Sequence, residues 1–597
     1  MTSTAPSPDT RQGQPPEEQQ PSWQRRLRRF GYVAAPRTGV RERLVPAFAA
    51  PSPRLWAALG LPREAVAWLT RHSPWLAPLL ITLVAGAIRF WNLGSPHAVI
   101  FDETYYAKDA WAIVHHGYEA NWTDSANKLI LQNDGHVTIP SDASYVVHPP
   151  VGKYVIGLGE LIFGFNPFGW RFMTALLGTA SVFMLCRIGR RLFRSTFLGC
   201  LAGLLLAVDG LHFVMSRTAL LDQVLMFFVL AAFGCFLVDR DKARAKLAAA
   251  LPVDEDGVTR PDADVAETLR LGWRPWRWAA GLMLGLAFGT KWNGLYVMVF
   301  FCLMTVLWDV GARRVAGAYR PYRAVLRRDV LPAFVSTVPV AVATYLVSWL
   351  GWILSPSDGT GGYYRNWAAT DGKGGSFTWL PDWLRSLWHY EHQVYEFHVG
   401  LSSPHTYQSN PWSWIVDGRP VSYFYESPAP GTGTGIGHCP AGTTEKCARE
   451  VLALGTPLLW WAAAFALLYV LWRWAFRRDW RAGAIVCGVA AGWLPWFMYQ
   501  ERTIFYFYAV VFVPFLCLAV AMMIGAILGP PQQGRGGAAP VEPMLVIGER
   551  RRVVGAAGAG VLVLLILWNF IYFWPIYTGR AIPVDEWRSR MWLDTWV

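Results

Sequence analysis

Charge is the scarcest resource in this sequence. Only 16% of its 597 residues are Asp, Glu, Lys or Arg, against 53% hydrophobic, and the mean hydropathy is +0.24. That balance excludes an ordinary soluble globular protein. Cysteine is sparse, with eight in all, and neither a CxxC pair nor an HExxH pattern occurs, which excludes a tight zinc site. No Walker loop is present either: the glycine-rich tract Gly431 to Gly437 lacks the lysine and strand context that hold nucleotide phosphates. Residues 1–71, rich in Pro, Gln, Ser and Arg, contain no apolar run long enough for the core of a signal peptide.

What is abundant is long apolar segments. A spanning helix needs about 20 apolar residues, and segments near 76–94, 170–190, 196–211, 219–238, 277–291, 295–310, 330–352, 452–475, 482–499, 504–527 and 553–577 qualify as eleven crossings. The net charge of +13 falls in clusters just beyond those segments, not on one basic face, so it reads as topogenic charge and not as a nucleic-acid surface. With eleven crossings, the clusters Arg187 to Arg194, Asp239 to Arg277, Arg313 to Arg328, Arg473 to Arg481 and Arg550 to Arg552 share one side with the N-terminus, the cytoplasmic side. The C-terminus is then extracytoplasmic. The apolar stretch Val151 to Phe165 breaks this parity if it spans, so it is expected to lie along the outer interface. The basic, aromatic patch from Trp23 to Tyr32 is expected in a flexible tail, either solvated or resting on anionic lipid.

The expected organisation is a tail over 1–71, a transmembrane catalytic module over 72–352 containing an exterior loop at 92–169, an aromatic-rich exterior loop at 353–451, a second transmembrane module at 452–577 and an exterior tail at 578–597. Six cysteines fall in the spans as small apolar fillers, whereas Cys439 and Cys447 lie close together outside, where a disulfide is expected.

The chemistry gathers on the outer side. Asp102 and Glu103 follow the first span directly, and a carboxylate pair at a membrane edge marks a functional site. His148, Lys153, Arg171, Asp209, His212, Arg217, Asp222, Lys291, Glu501 and Arg502 converge on the same face, with Arg217 and Asp222 expected to form a structural pair. Carboxylates beside cations and aromatics suit the binding of an anionic head group and the activation of a hydroxyl: a cation stabilises a leaving phosphate, and a carboxylate takes the acceptor's proton. A lipid-linked sugar is the fitting donor, since an outward site does not readily meet nucleotide sugars. The Asp-Glu pair alone offers only part of the oxygen set a divalent cation takes, so no metal centre is assigned and a divalent cation is left as an open alternative.

In order along the chain, Asp102-Glu103, HPPVGK from His148, WRFMTALLG with Arg171, SRTALLDQVLMFF, GTKWNGLYV, HTYQSNPWSW from His405 and ERTIFYFYAVVFVP resemble the protein O-mannosyltransferase family. The resemblance implies an all-α polytopic membrane protein of the GT-C glycosyltransferase fold. It implies transfer of one mannose from polyprenyl-phosphate-mannose to Ser or Thr of secreted proteins, met as they leave the Sec machinery. Carried onto this chain, Asp102 is the catalytic base and Glu103 its neighbour. Arg171, with Lys291 and Lys153, holds the donor phosphate, and His148, His405, Tyr407 and Trp412 contact donor or acceptor. Eukaryotic members carry a β-trefoil MIR domain in the second exterior loop. That loop is too short for one here, so the chain resembles the bacterial, actinobacterial-type branch of the plasma membrane. A GT-C enzyme acting on a lipid or cell-wall glycan is the nearest rival. An oligosaccharyltransferase lacks support because WWDYG is absent, and a secondary transporter would place its charges at the midplane within inverted repeats.

Overall fold

The computed structural model describes residues 32–33, 39–51, 53–133, 135–443, 445–529, 544–545 and 549–597. The patch from Trp23 to Phe30 lies outside the described residues. In chain order the principal helices are α1 (Arg63–Phe90), α2 (Glu103–His116), α3 (Val151–Phe163), α4 (Pro167–Phe193), α5 (Thr196–Ala207), α6 (Gly210–Met215), α7 (Leu221–Ala250), α8 (Pro275–Phe288), α9 (Gly294–Ala316), α10 (Val330–Ser348), α11 (Asp382–Gly400), α12 (Pro457–Arg477), α13 (Trp480–Trp493), α14 (Val513–Leu528) and α15 (Glu549–Thr578).

Among the described residues, eight helices are long and apolar enough to cross a membrane: α1, α4, α7, α9, α10, α12, α13 with its 3₁₀ extension to Tyr499, and α15. Each of the eleven expected segments carries a helix, but α5, α8 and α14 have only 12, 14 and 16 residues. At about 1.5 Å per residue they fall short of a hydrocarbon core about 30 Å thick. The first helix begins at Arg63, inside the stretch assigned to the tail, and runs through Pro74 and Pro78 without ending.

Local signals set several boundaries. Asn166 accepts from the Phe168 and Gly169 amides and Pro167 occupies the first helical position, which starts α4 sharply. Helix α3, the stretch that broke the parity, has 13 residues, about 20 Å. It is a packing helix. A Cβ at Gly157 would stand 2.5 Å from Val114 Cγ1, and one at Gly159 would stand 2.4 Å from the Gly169 carbonyl, so the two glycines are what let α3 press onto α2 and α4.

The chain is not wholly helical. Strands β1 (Val421–Glu426), β2 (Cys447–Ala453) and β3 (Ile582–Pro583) form an antiparallel sheet in the order β1-β2-β3. The sheet joins the second exterior loop to the segment after α15. Arg449 ties it to the first loop as well, donating to the Gly579 carbonyl at 2.9 Å and to Ser95 Oγ at 3.2 Å. Both loops and the final segment therefore lie on one face. Beside the sheet, the sulfurs of Cys439 and Cys447 are bonded.

On the opposite face, Asp239 of α7 and Asp309 of α9 bracket Arg274 and Arg277 at the start of α8 in a buried cluster. Two acids meet two bases, which fastens three helices without leaving a buried charge unpaired.

Candidate active site

The adjacent carboxylates Asp102 and Glu103 have opposite fates. Glu103 is fully buried and saturated: Oε1 accepts from Arg171 Nε at 2.7 Å and the Ala219 amide at 3.1 Å, Oε2 from Arg171 Nη2 at 2.8 Å and the Ile100 amide at 3.1 Å. Asp102, one residue earlier, is half-buried, and among the described residues no group donates a hydrogen bond to its carboxylate. Burial, with Asp222 adding to it and Lys291 opposing it, raises its pKa to about 6. A free carboxylate of that basicity suits a general base.

Arg171 is not the phosphate clamp implied by the resemblance. It is fully buried. Besides Glu103, its Nη1 donates to the carbonyls of Leu93 (3.4 Å) and Pro96 (2.9 Å), and Nη2 to that of Ala98 at 2.9 Å. A guanidinium has five N–H groups, and all five are spent on holding the loop that presents Asp102. Lys153 is likewise withdrawn, with its ammonium buried between Glu119 and the His148 carbonyl.

Nor do Arg217 and Asp222 pair. Arg217 donates to the carbonyls of Arg89, Trp91 and Asn92 at the end of α1. Asp222 instead takes Lys291, whose Nζ lies 2.9 and 2.8 Å from its two oxygens. Asp209 and His212 belong to a packing network: Asp209 accepts from the His212 amide and Trp460 Nε1, and His212 Nδ1 accepts from Arg89.

Lys291 also sits 4.5 Å from the Tyr508 ring centroid and lines a cavity of about 580 Å³. An ammonium has three N–H groups, so one remains beyond the two directed at Asp222. Arg502 and His398 share this cavity. Arg502 Nη2 lies 2.9 Å from His398 Nδ1, and His398 Nε2 lies 2.8 Å from the Val147 carbonyl. Since arginine only donates, Nδ1 accepts, Nε2 carries the proton, and the ring is neutral. Burial and Arg502 accordingly lower its pKa to about 4. His148 stacks on His398 at 5.2 Å, and burial with Lys291 holds its pKa well below the usual imidazole value. The lysine and arginine are thus the cavity's cations, while Trp292, Tyr296, Tyr345, Trp388 and Tyr395 supply apolar walls.

The segment from His405 acts mostly as a brace. Asn410 caps a short helix by accepting from the Trp412 amide and donates to Gln500, and Ser409 N bonds the Ile504 carbonyl. His405 packs on Phe505 at 5.0 Å, Phe505 meets Phe101 at 6.4 Å, and Arg419 lies over Tyr407. Trp412 is 69% exposed. Phe101, next to Asp102, also stacks on Tyr423 at 4.6 Å. Sequence reasoning named Arg502 and Lys291 but missed Tyr423, His398 and the cavity. The density of Tyr and His between Trp388 and His398 was the available signal. Among the described residues no group of three or more His, Cys, Asp and Glu is arranged to hold a metal.

Two family models match the chain: dolichyl-phosphate-mannose-protein mannosyltransferase over residues 79–324, and the C-terminal four-transmembrane region of protein O-mannosyltransferase over 383–596. A polyprenol-phosphate-mannose–protein mannosyltransferase of Mycolicibacterium smegmatis is 39% identical, with 88% of this chain and 94% of that protein aligned. One from Mycobacterium tuberculosis is 38% identical over 88% and 93%. One from Corynebacterium glutamicum is 33% identical over 87% and 92%. Among solved structures, the Saccharomyces cerevisiae protein O-mannosyltransferase Pmt1-Pmt2 complex bound to the sugar donor shares the fold, with a TM-score of 0.59 at 14% identity over 88% of this chain and 93% of that one. This chain belongs to the protein O-mannosyltransferase family.

Proposed function

We propose that the protein transfers a single mannose from polyprenyl-phosphate-mannose to Ser or Thr hydroxyls of secreted or membrane proteins on the extracytoplasmic side of the plasma membrane. The observation that carries the reading is the free carboxylate of Asp102 near Lys291, which itself lines an aromatic cavity that also presents Arg502. The named relatives support the donor and the protein acceptor.

In this reading the apolar walls take the first isoprene units and Lys291 and Arg502 neutralise the phosphate. Asp102 removes the proton from the acceptor hydroxyl, whose oxygen bonds to the anomeric carbon as the carbon–phosphate oxygen bond breaks. The electron pair leaves on polyprenyl phosphate, where the two cations stabilise the growing charge. A single displacement inverts the anomeric centre and needs no covalent intermediate. Glu103 and Arg171 hold Asp102 in place and touch neither substrate. His405, Tyr407 and Trp412 margin the acceptor side, where chains emerging from the secretion machinery arrive. The proposed topology has eleven crossings, with α5, α8 and α14 as the shorter ones and the N-terminus in the cytoplasm.

The test supplies membranes containing the protein with polyprenyl-phosphate-[mannose] and a peptide rich in Ser, Thr, Pro and Ala. Labelled peptide is expected. Labelled glycolipid without labelled peptide would move the acceptor to a lipid or cell-wall glycan, and uptake of a soluble substrate into sealed vesicles without transfer would make the protein a transporter.

A further inference from the structure

We propose that the face opposite Asp102 holds a built site for a phosphate group, that of an anionic lipid head group, centred on Arg244. Asp222 and Arg244 both lie on α7. Twenty-two residues at about 1.5 Å each separate them by roughly 33 Å, the thickness of a membrane core. Arg244 therefore stands at the other membrane edge from the active site.

Charge there does not balance. Arg240 and Arg244 are four residues apart on one face of α7, a repulsive spacing, and are only 4% and 7% exposed. Arg191 and Arg194 of the α4 end and Arg43 from the short helix Val40–Leu44 face the same place. The acid at their centre, Asp241, is already shared by Arg191 at 2.8 Å, Arg194 at 2.7 Å and Arg240 at 3.3 Å. Asp309, also near Arg244, is committed to Arg274 and Arg277. Among the described residues Arg244 has no hydrogen-bond acceptor at all, and Arg194 and Arg240 each keep a buried Nε without one. Ordinary topogenic arginines sit in water and need no partner. A buried guanidinium lacking one is costly, and the neighbouring cluster on Asp239 and Asp309 shows how this fold otherwise neutralises such groups.

The missing partner is an anion with several acceptor oxygens, which is what a phosphodiester offers to clustered arginines. Aromatic rings frame the place at interfacial depth: Trp480 lies 3.2 Å beneath Arg240, and Phe48 beneath Arg190 and Arg194 at 4.2 and 4.7 Å. Leu44 docks into a pocket of Leu247, Ala248, Leu251, Ala312 and Ala316, which holds the segment carrying Arg43 and Phe48 over the site. A lipid head group at a helix-end, aromatic-lined edge meets these conditions better than a solute does.

The experiment compares thermal midpoints of the full-length protein in nanodiscs of phosphatidylcholine alone and of phosphatidylcholine with phosphatidylglycerol. The wild type is expected to gain stability in the anionic discs, and Arg244→Gln to lose at least half of that gain while being no less stable in neutral discs, because it removes an unpaired charge. Arg323→Gln, at an exposed arginine of the short helix Pro321–Arg328, should keep the whole gain. An equal gain in Arg244→Gln and wild type, or an equal loss of stability in both lipids, overturns the site. If millimolar inorganic phosphate in neutral discs reproduces the gain, the lipid assignment is overturned in favour of a soluble anion.

Discussion

Arg171 grips Glu103 through two parallel hydrogen bonds, Nε to Oε1 at 2.7 Å and Nη2 to Oε2 at 2.8 Å, with both side chains fully buried. The pair reaches across 68 residues of chain to fix the turn that carries Asp102. Removing one partner strands the other's charge, which costs about 3–5 kcal/mol. Glu103→Ala is therefore expected to lower the thermal midpoint markedly in neutral lipid and to reduce activity in the remaining folded protein as well, because the turn that carries Asp102 loses its anchor. A Glu103→Ala protein of unchanged stability would overturn this division of labour.

Asp102 presents the reverse case. With no hydrogen bond to lose, Asp102→Asn should leave the fold intact and abolish mannose transfer, a drop of about 10²-fold or more for loss of a general base. Radiolabelled transfer and thermal midpoint, measured on the same preparation, check both halves.

The elevated pKa of Asp102 fixes the sign of two pH effects. As a base it works ionised, so kcat/KM should rise with pH through about 6 and level off above it. Because its folded pKa lies above the unfolded value, the folded state binds the proton more tightly. The stability this contributes is fully present below the unfolded value of 3.8 and is lost as pH rises through about 6. Asp102→Asn should accordingly be somewhat more stable than wild type above pH 6, with the difference closing in acid.

Arg502 engages His398 through one nitrogen and leaves Nε without a partner, so it has capacity to spare for a ligand. Hydrogen bonds to charged groups contribute about 1.5–3 kcal/mol, and Arg502→Gln should raise the KM for the lipid donor roughly tenfold or more. The KM for the peptide should stay unchanged. A parallel rise in both would place Arg502 outside the donor site.

The residues of the site were easier to find in the sequence than their partners. Asp102, Lys291 and Arg502 stand out because charge beside a span is rare. That Lys291, in the turn between α8 and α9, reaches Asp222 of α7 depends on contact between residues 69 apart in the chain, which no local pattern records. Arg171 misled for a related reason: three of its acceptors are the backbone carbonyls of Leu93, Pro96 and Ala98, invisible at the level of side chains. Parity argued against α3 as a span, and its glycine spacing is what lets it pack on α2 and α4. Helix α1 starts well before the apolar run at 76–94 and continues through Pro74 and Pro78, which a membrane helix tolerates where neighbours re-satisfy the backbone.

In the proposed topology, the small sheet lies outside and imposes an order on biogenesis. Its third strand, Ile582–Pro583, follows α15 and lies against β2 of a loop synthesised long before. The loop that walls the acceptor side must wait, with an open edge, until the last helix has been inserted and its trailing segment exported. A chain stalled before α15 would hold every charged residue of the active site and still lack the strand that closes that wall, so assembly intermediates should be inactive and sensitive to protease at β2.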